Sequence, residues 1–255
     1  MTGVLAFLGL SLRLRLRRII GLAAFGAVFL AGAATARVFT TGEHGHLELD
    51  PLFELGGTTL VSALLLLGWL VGRFPIIAAL VLASGVFSED RAHGHARLYA
   101  VRPRSLIALY GLRLLLLTLI AAILGLIVMP AFDLLILGEW PHTTMFALIA
   151  AEVLIFASLT ALLSVATRAD AWAALFLGIL AVVWDGLRRT GSLDSAAPAV
   201  RETVSVLLPP QGALLRIESA FAASQPIPWD AMLYIALYAA LALVLAGVAL
   251  ARREL

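Results

Sequence analysis

SLIALYGLRLLLLTLIAAILGLIVMPAF, residues 105–132, contains one basic side chain, Arg113, and no acidic one. A helix of about 20 predominantly apolar residues is long enough to cross the ~30 Å hydrocarbon core of a bilayer, and this stretch exceeds that length. The chain of 255 residues is 62% hydrophobic and 13% charged, against about 45–50% and 25% for a soluble domain. The sequence therefore predicts an all-α, polytopic membrane protein and excludes an ordinary soluble globular domain.

Similar apolar stretches recur along the rest of the chain. The longest, residues 55–88, carries only Arg73 and could form one helix kinked before Pro75 or two short spans. The shortest, residues 171–184, crosses a bilayer only if Asp185 and the two residues after it lie in the far interface. Within a single transmembrane domain of residues 1–255, the predicted spans are about residues 19–36, 56–88, 105–130, 143–167, 169–187 and 230–251.

The distribution of arginine distinguishes six spans from seven, because cytoplasmic loops are enriched in basic residues. With six spans and both ends inside, 11 arginines fall inside and 5 outside, and Arg73 and Arg113 stay within spans. Seven spans give an uninformative 8 on each side. We therefore expect six spans with cytoplasmic N- and C-termini, in the inner membrane of a bacterium.

Residues 1–18 are expected to form a helix in the inner interface, ahead of the first span. A helical wheel places Arg13 and Arg17 on one side and Arg15 and Arg18 on the other. Long arginine side chains can reach lipid phosphates from either side; a basic flank that only fixes orientation is the alternative. The apolar run that follows is longer than the core of a usual signal peptide, so we expect a retained anchor.

Two missing residue types exclude whole classes of chemistry. The chain has no cysteine, and all 18 of its basic residues are arginine. Without cysteine there is no disulfide and no thiolate metal site. Without lysine there is no Walker A lysine and no Schiff base, so the chain cannot be a P-loop ATPase by itself.

The segment of residues 88–104, SEDRAHGHARLYAVRPR, is short, densely charged and bounded by two long predicted membrane helices. Ser88 is a typical helix cap, and the two acidic residues after it favour the start of a helix. Gly94 permits a break, and Pro103 ends the short helix between them. A short charged segment at the end of a long membrane helix is suited to transmit motion from a soluble partner. A solvated hairpin between two membrane helices has the same sequence pattern.

This segment and the span before it resemble the type 2 ATP-binding-cassette (ABC) permeases, especially compact six-span members such as the permease of the nitrous-oxide-reductase maturation transporter. In that family a proline in helix 2 precedes an aliphatic run, a glutamate leaving the membrane and a Glu/Arg-rich turn ending in glycine. A short leucine-bearing helix and a proline with a basic residue follow. His95 replaces the family's usual threonine, whereas Pro209-Pro210 and the basic C-terminal end also look like the family. The matching residues are Pro75, residues 76–82, Glu89, Arg91, Gly94, Leu98, Pro103 and Arg104.

The resemblance implies that residues 89–104 form a coupling element that lodges in a groove of a separate ATPase subunit, with residues 167–170 as a second contact. ATP and Mg²⁺ would bind to that partner, and this chain would hold no cofactor, no metal and no catalytic residue. It would pair with a second permease subunit, as a homodimer, for export or to move an extracytoplasmic partner. The implied coupling residues are Glu89, Asp90, Arg91, Gly94, Arg97, Leu98, Pro103, Arg104, Arg168 and Asp170.

Three charged residues within predicted spans, Glu152, Arg73 and Arg113, are candidates for the substrate path. An ionised side chain at that depth is costly and usually faces a partner or a wet cavity. Glu152 is either a substrate or proton site, or it bonds another helix through Ser, Thr, Arg113 or Arg73. Arg73 has the same two interpretations, and its place in the outer half lets it reach outward.

Two further features have a plain structural interpretation. The His-Gly-His sequences at residues 44–46 and 93–95 would lie on opposite sides of the membrane, and each offers two ligands where a closed zinc site needs four. We expect loop histidines there. Residues 188–229 are an outer segment with one or two amphipathic helices, which could form a lid, dock a partner or pack as a collar.

The sequence therefore predicts a permease subunit whose partners are an ATPase, a second permease subunit and membrane lipid, with no nucleic acid. A membrane anchor or assembly scaffold that transports nothing is the alternative. An intramembrane enzyme built around Glu152 is a third hypothesis, but the sequence has no HExxH, no GxSxG and no carboxylate pair within the membrane. The apolar composition favours a hydrophobic or amphipathic cargo.

Overall fold

The computed structural model describes residues 2–38, 40–41, 48–49, 66–92, 106–195 and 197–254. These residues form ten helices and one antiparallel pair of two-residue strands, β1 (Thr40–Thr41) and β2 (Glu48–Leu49). The long helices are α1 (Thr2–Val38), α5 (Leu106–Leu137), α6 (Thr144–Ala166), α7 (Asp170–Arg189) and α10 (Trp229–Glu254). The short helices are α2 (Leu66–Gly72), α3 (Phe74–Ala83), α4 (Ser88–Ala92), α8 (Pro198–Leu207) and α9 (Gln211–Ala222).

The all-α prediction is confirmed, and five helices are long and apolar enough to cross a membrane. A bent pair of helices, Leu66–Gly72 and Phe74–Asp90, lies where the second span was predicted. The described part of the chain thus holds five candidate spans, or six if the bent pair is one span. The five are Phe7–Thr35, Ile107–Ile136, Thr144–Ala166, Asp170–Arg189 and Trp229–Arg252.

The bend in the second span follows from a proline. Pro75 lies in the first turn of α3, where its ring removes a backbone donor and clashes with a preceding helical turn. Arg73 separates the two pieces, and its N–H donates to the carbonyl oxygen of Leu70 at 3.1 Å. The axes of the pieces differ by 44°, so the kink expected before Pro75 is present and presents Arg73 at the break.

Helix α6 is the centre of the bundle. It is 72% buried over its span, against 22% for each of α1, α7 and α10, and it packs on α3, α5, α7, α9 and α10. Buried alanines such as Ala151, Ala157 and Ala161 let neighbouring backbones approach closely. Large apolar side chains such as Phe176 and Leu237 are exposed on the outer helices, as expected for surfaces that face lipid.

One predicted boundary differs from the structure. Helix α1 is continuous, so nothing separates an interfacial helix of residues 1–18 from a span of residues 19–36. Leucine and arginine are good helix formers, and residues 11–20 include no glycine or proline that would end the helix. Helix α7 matches the span predicted at about residues 169–187 and, as that span requires, runs past Asp185, which pairs with Arg189 at 2.7 Å. The outer segment, predicted to hold one or two helices, contains α8 and α9.

Replacing Gly125 by alanine should destabilise the bundle. A β-carbon at this position of α5 would lie 3.0 Å from Ile149 and 3.2 Å from Pro75, and overpacking typically costs about 1–3 kcal/mol. We expect Gly125→Ala to lower the free energy of unfolding by that amount in a denaturant titration of the detergent-solubilised protein. Gly111, on the same helix, has open space around it. Gly111→Ala is the matched control and should be neutral or slightly stabilising; equal losses in both variants would contradict this packing.

Candidate functional site

The turn between α3 and α4 depends on a glycine. Gly85 has φ +71°, in the left-handed region that side chains disfavour. A β-carbon at this position would also collide with the side chain of Glu89. Glycine therefore reverses the chain here and brings Glu89 back against the end of α3.

Side chains from α6 and α7 bind the backbone of this turn. Asp170, the first residue of α7, accepts hydrogen bonds from the Gly85 N–H at 2.7 Å and the Ser84 hydroxyl at 2.9 Å. Ser164 Oγ, near the end of α6, accepts from the N–H groups of Phe87 at 3.0 Å and Ser88 at 3.1 Å. The donors that no regular helix can satisfy are thus paired with side chains of two other helices.

Two arginines of α1 bind the same turn from the other side. Arg15 is 1% exposed and donates to the carbonyl oxygen of Leu82 at 3.0 Å and to that of Ser84. Arg18 donates to the Ser84 carbonyl at 3.0 Å, and both arginines pair with Glu89. These carbonyls end α3, where the helix dipole is negative. Arginine side chains therefore cap α3 from inside the protein.

A fourth helix joins through a buried ion pair. Arg113 of α5 and Asp90 of α4 are 2.6 Å apart, and their side chains are 3% and 5% exposed. Arg113, considered from the sequence as a partner for Glu152, is bound to Asp90 instead. We call Arg15, Arg18, Arg113, Glu89, Asp90 and Asp170 the turn cluster; with every member ionised, its formal charges, three positive and three negative, sum to zero.

The structure separates the predicted coupling residues by accessibility. Asp90 and Asp170 are buried, so a soluble partner cannot reach them in this conformation, and what they do is hold the turn. The Glu89 side chain is 39% exposed, and Arg168 is exposed between α6 and α7. The side chain of Arg91 and residues Gly94, Arg97, Leu98, Pro103 and Arg104 lie outside the described residues.

A second polar group lies at the break of the bent span. Arg73 Nη1 donates to Glu152 Oε1 of α6 at 3.2 Å and to Glu218 Oε1 of α9. Glu152 is 0% exposed, and its Oε2 has no hydrogen-bond partner among the described residues. The inter-helix bond from Arg73 to Glu152, one of the interactions considered from the sequence, is present. Arg73, Glu152 and Glu218 are called the glutamate triad below.

The structure also contains an apolar cavity. Its volume is about 390 Å³, and it lies between α5 and α10 over the face of α6. Leucines of all three helices line it, including Leu114, Leu154 and Leu243, and Thr118 and Ser158 add hydroxyl groups. Such a lining suits an acyl chain or another apolar group. Within the described ranges, no cluster of three or more His, Cys, Asp or Glu could hold a metal ion.

Sequence reasoning missed two parts of this arrangement. Glu218 falls in the predicted outer segment, 145 residues from Arg73, and nothing local marks it as a partner of a residue in a predicted span. For Arg15 and Arg18 the sequence predicts either contact with lipid phosphates or a basic flank; their position on one side of the helical wheel is a usable signal of a shared partner. No family model and no curated protein matches this sequence, so the resemblance to ABC permeases is carried by the quoted residues alone.

Replacing Arg15 by glutamine should weaken the fold far more than replacing Arg17. Arg15 is buried and binds Glu89, and breaking such a pair costs about 3–5 kcal/mol when fully buried. Because Glu89 keeps Arg18, we expect a loss of ~2–4 kcal/mol. Arg17, two residues away and exposed, should change stability by no more than ~0.5 kcal/mol. The test is unfolding of both variants in one detergent; similar stabilities would mean that Arg15 does not cap α3.

Proposed function

We propose that the chain is the membrane-spanning subunit of an ATP-driven transporter of the type 2 ABC class. It works as a pair of permease subunits, and a separate ATPase subunit binds ATP and Mg²⁺. The observation that carries this proposal is the attachment of α4 and the turn before it to four other helices. Residues 89–104 resemble the family's coupling element, and the first two of them, Glu89 and Asp90, form ion pairs within the turn cluster.

This attachment is suited to transmit motion. Side chains of α1, α5, α6 and α7 bind the turn or α4 itself, so a displacement of α4 is passed to all four helices. Buried ion pairs resist a partial displacement, since separating one leaves uncompensated charge at a cost of about 3–5 kcal/mol. The bundle is therefore expected to change by rigid-body motion between packed arrangements and not by local bending.

The accessible residues near the turn define the surface offered to the ATPase. Glu89 is 39% exposed, and Arg168 is exposed in the turn between α6 and α7. Asp170, two residues after Arg168, binds the Gly85 backbone. An ATPase that contacts Arg168 would therefore act on the same α3–α4 turn as one that contacts the residues after α4.

The arginine distribution favours six spans with both termini in the cytoplasm of a bacterial cell and the turn cluster on the cytoplasmic side. Lysine is absent from the chain, so the energy source belongs to the partner. The cavity of about 390 Å³ between α5 and α10 is lined mainly by apolar groups and favours a hydrophobic or amphipathic cargo. Export follows from the resemblance, with α8 and α9 placed at the exit or against an extracytoplasmic partner.

Isolation of the complex from its native membrane tests the proposal. We expect a soluble ATPase to co-purify, and Arg97→Glu, in the implied coupling element, to weaken its binding about tenfold or more, or ~1.4 kcal/mol. Arg201→Glu, a charge reversal in α8 at the other end of the bundle, is the matched control and should leave ATPase binding unchanged.

The alternative function, a membrane anchor or scaffold, gives a different result. A scaffold co-purifies with its complex without an ATPase, and Arg97→Glu changes no ATP hydrolysis. Recovery of an intact complex that lacks any ATPase would overturn the transporter proposal.

A further inference from the structure

The glutamate triad differs from the turn cluster in its charge. Arg73 is its only cation, and one nitrogen of that guanidinium contacts both Glu152 and Glu218. If both glutamates are ionised, the triad carries a net charge of −1; the Arg73 and Glu218 side chains are 32% and 21% exposed, and that of Glu152 is 0% exposed. The cost of the uncompensated charge therefore falls on the buried Glu152, because two carboxylates that share a site cannot both ionise readily.

The hydrogen bonding of Glu152 also disfavours the ionised form of this side chain. An ionised carboxylate accepts several hydrogen bonds through its two oxygens. Glu152 accepts one, from Arg73 to Oε1 at 3.2 Å, while Oε2 is buried and has no partner in the described part of the chain. Ionisation would therefore place part of the carboxylate charge on a buried oxygen that accepts no hydrogen bond, which is costly.

Other charged groups on the helices around α6 are bound elsewhere. In α5, Arg113 pairs with Asp90, and Asp133 adds only negative charge. The carboxylate of Asp170 binds the α3–α4 turn. The remaining ion pairs of α7, α9 and α10 are Asp185 with Arg189, Arg188 with Glu202, and Arg216 with Asp230. Among the described residues, Arg73 is therefore the cation that acts on Glu152.

We propose that the glutamate triad is a proton-binding site and that Glu152 Oε2 holds the proton at neutral pH. Burial of the glutamate selects the ligand at this position. Glu152 is 0% exposed, whereas Arg73 and Glu218 are 32% and 21% exposed, so a hydrated metal ion or an organic cation reaches only the outer part of the triad in this conformation. A proton balances the charge and needs no volume.

The proton also decides where the arginine binds. With Glu152 neutral, Arg73 is left with Glu218 as its ionised partner, which ties α9 to the break between α2 and α3. Loss of the proton gives Arg73 two ionised partners and draws it toward α6. Proton binding at the glutamate triad does not require an ATPase partner.

Infrared spectroscopy of the purified full-length protein tests the proposal, with glutamate carrying ¹³C in its side-chain carboxyl group. At neutral pH, where glutamate in water is ionised, we expect the carbonyl stretch of a protonated, labelled carboxyl group. The band should be lost in Glu152→Gln and kept in Glu202→Gln, the control, which alters an exposed glutamate of α8.

A conservative variant locates the proton and guards against misfolding. In labelled Glu152→Asp, the labelled band should be replaced by an unlabelled aspartic acid band, because the proton stays at the site on a new side chain. A labelled band that survives in Glu152→Asp would place the proton on another glutamate and overturn the proposal. The labelled wild-type protein needs no substitution, and absence of its band at neutral pH would also overturn it.

Discussion

A chain reversal inside an apolar bundle requires a partner for every backbone donor and acceptor that it exposes, and residues 84–90 obtain these partners from four other helices. Three carboxylates, a serine hydroxyl and three guanidinium groups meet there. In a medium of low dielectric constant these hydrogen bonds and ion pairs favour one arrangement, and the one buried nitrogen of the cluster without a hydrogen-bond partner among the described residues is Arg113 Nε. The positions of α1, α5, α6 and α7 therefore depend on this turn.

The predicted second span is interrupted twice, and the two interruptions differ in charge balance. At Gly85 the surrounding ionised groups cancel, which favours a rigid joint. At Arg73 the two glutamates exceed the single arginine, which favours uptake of a positive charge. One bent element thus carries both the site that we associate with an ATPase and the site that we associate with a proton.

Hydrophobic patterning predicted the helical class, the positions of the long helices and the kink at Pro75, because these depend on local sequence. The pairing of charged side chains between helices depends on how the helices pack. The sequence pattern therefore gave only several possible partners for Glu152. It gave no indication of Glu218, and it offered only lipid contact or a basic flank for Arg15 and Arg18, because an arginine that caps a distant helix has the same local sequence as one that faces a headgroup. The boundary expected at residue 18 failed for a similar reason, since a basic segment continues a helix as well as an apolar one does.

Hydrogen–deuterium exchange at the α3–α4 turn tests most directly whether the hydrogen bonds of this turn hold α1, α5, α6 and α7 in position. The amides of Gly85, Phe87 and Ser88 donate to side chains of α6 and α7, and exchange requires those bonds to open. The account predicts protection of these amides comparable to that in the middle of α6. Exchange as fast as in the exposed turn at residues 190–195 would contradict it.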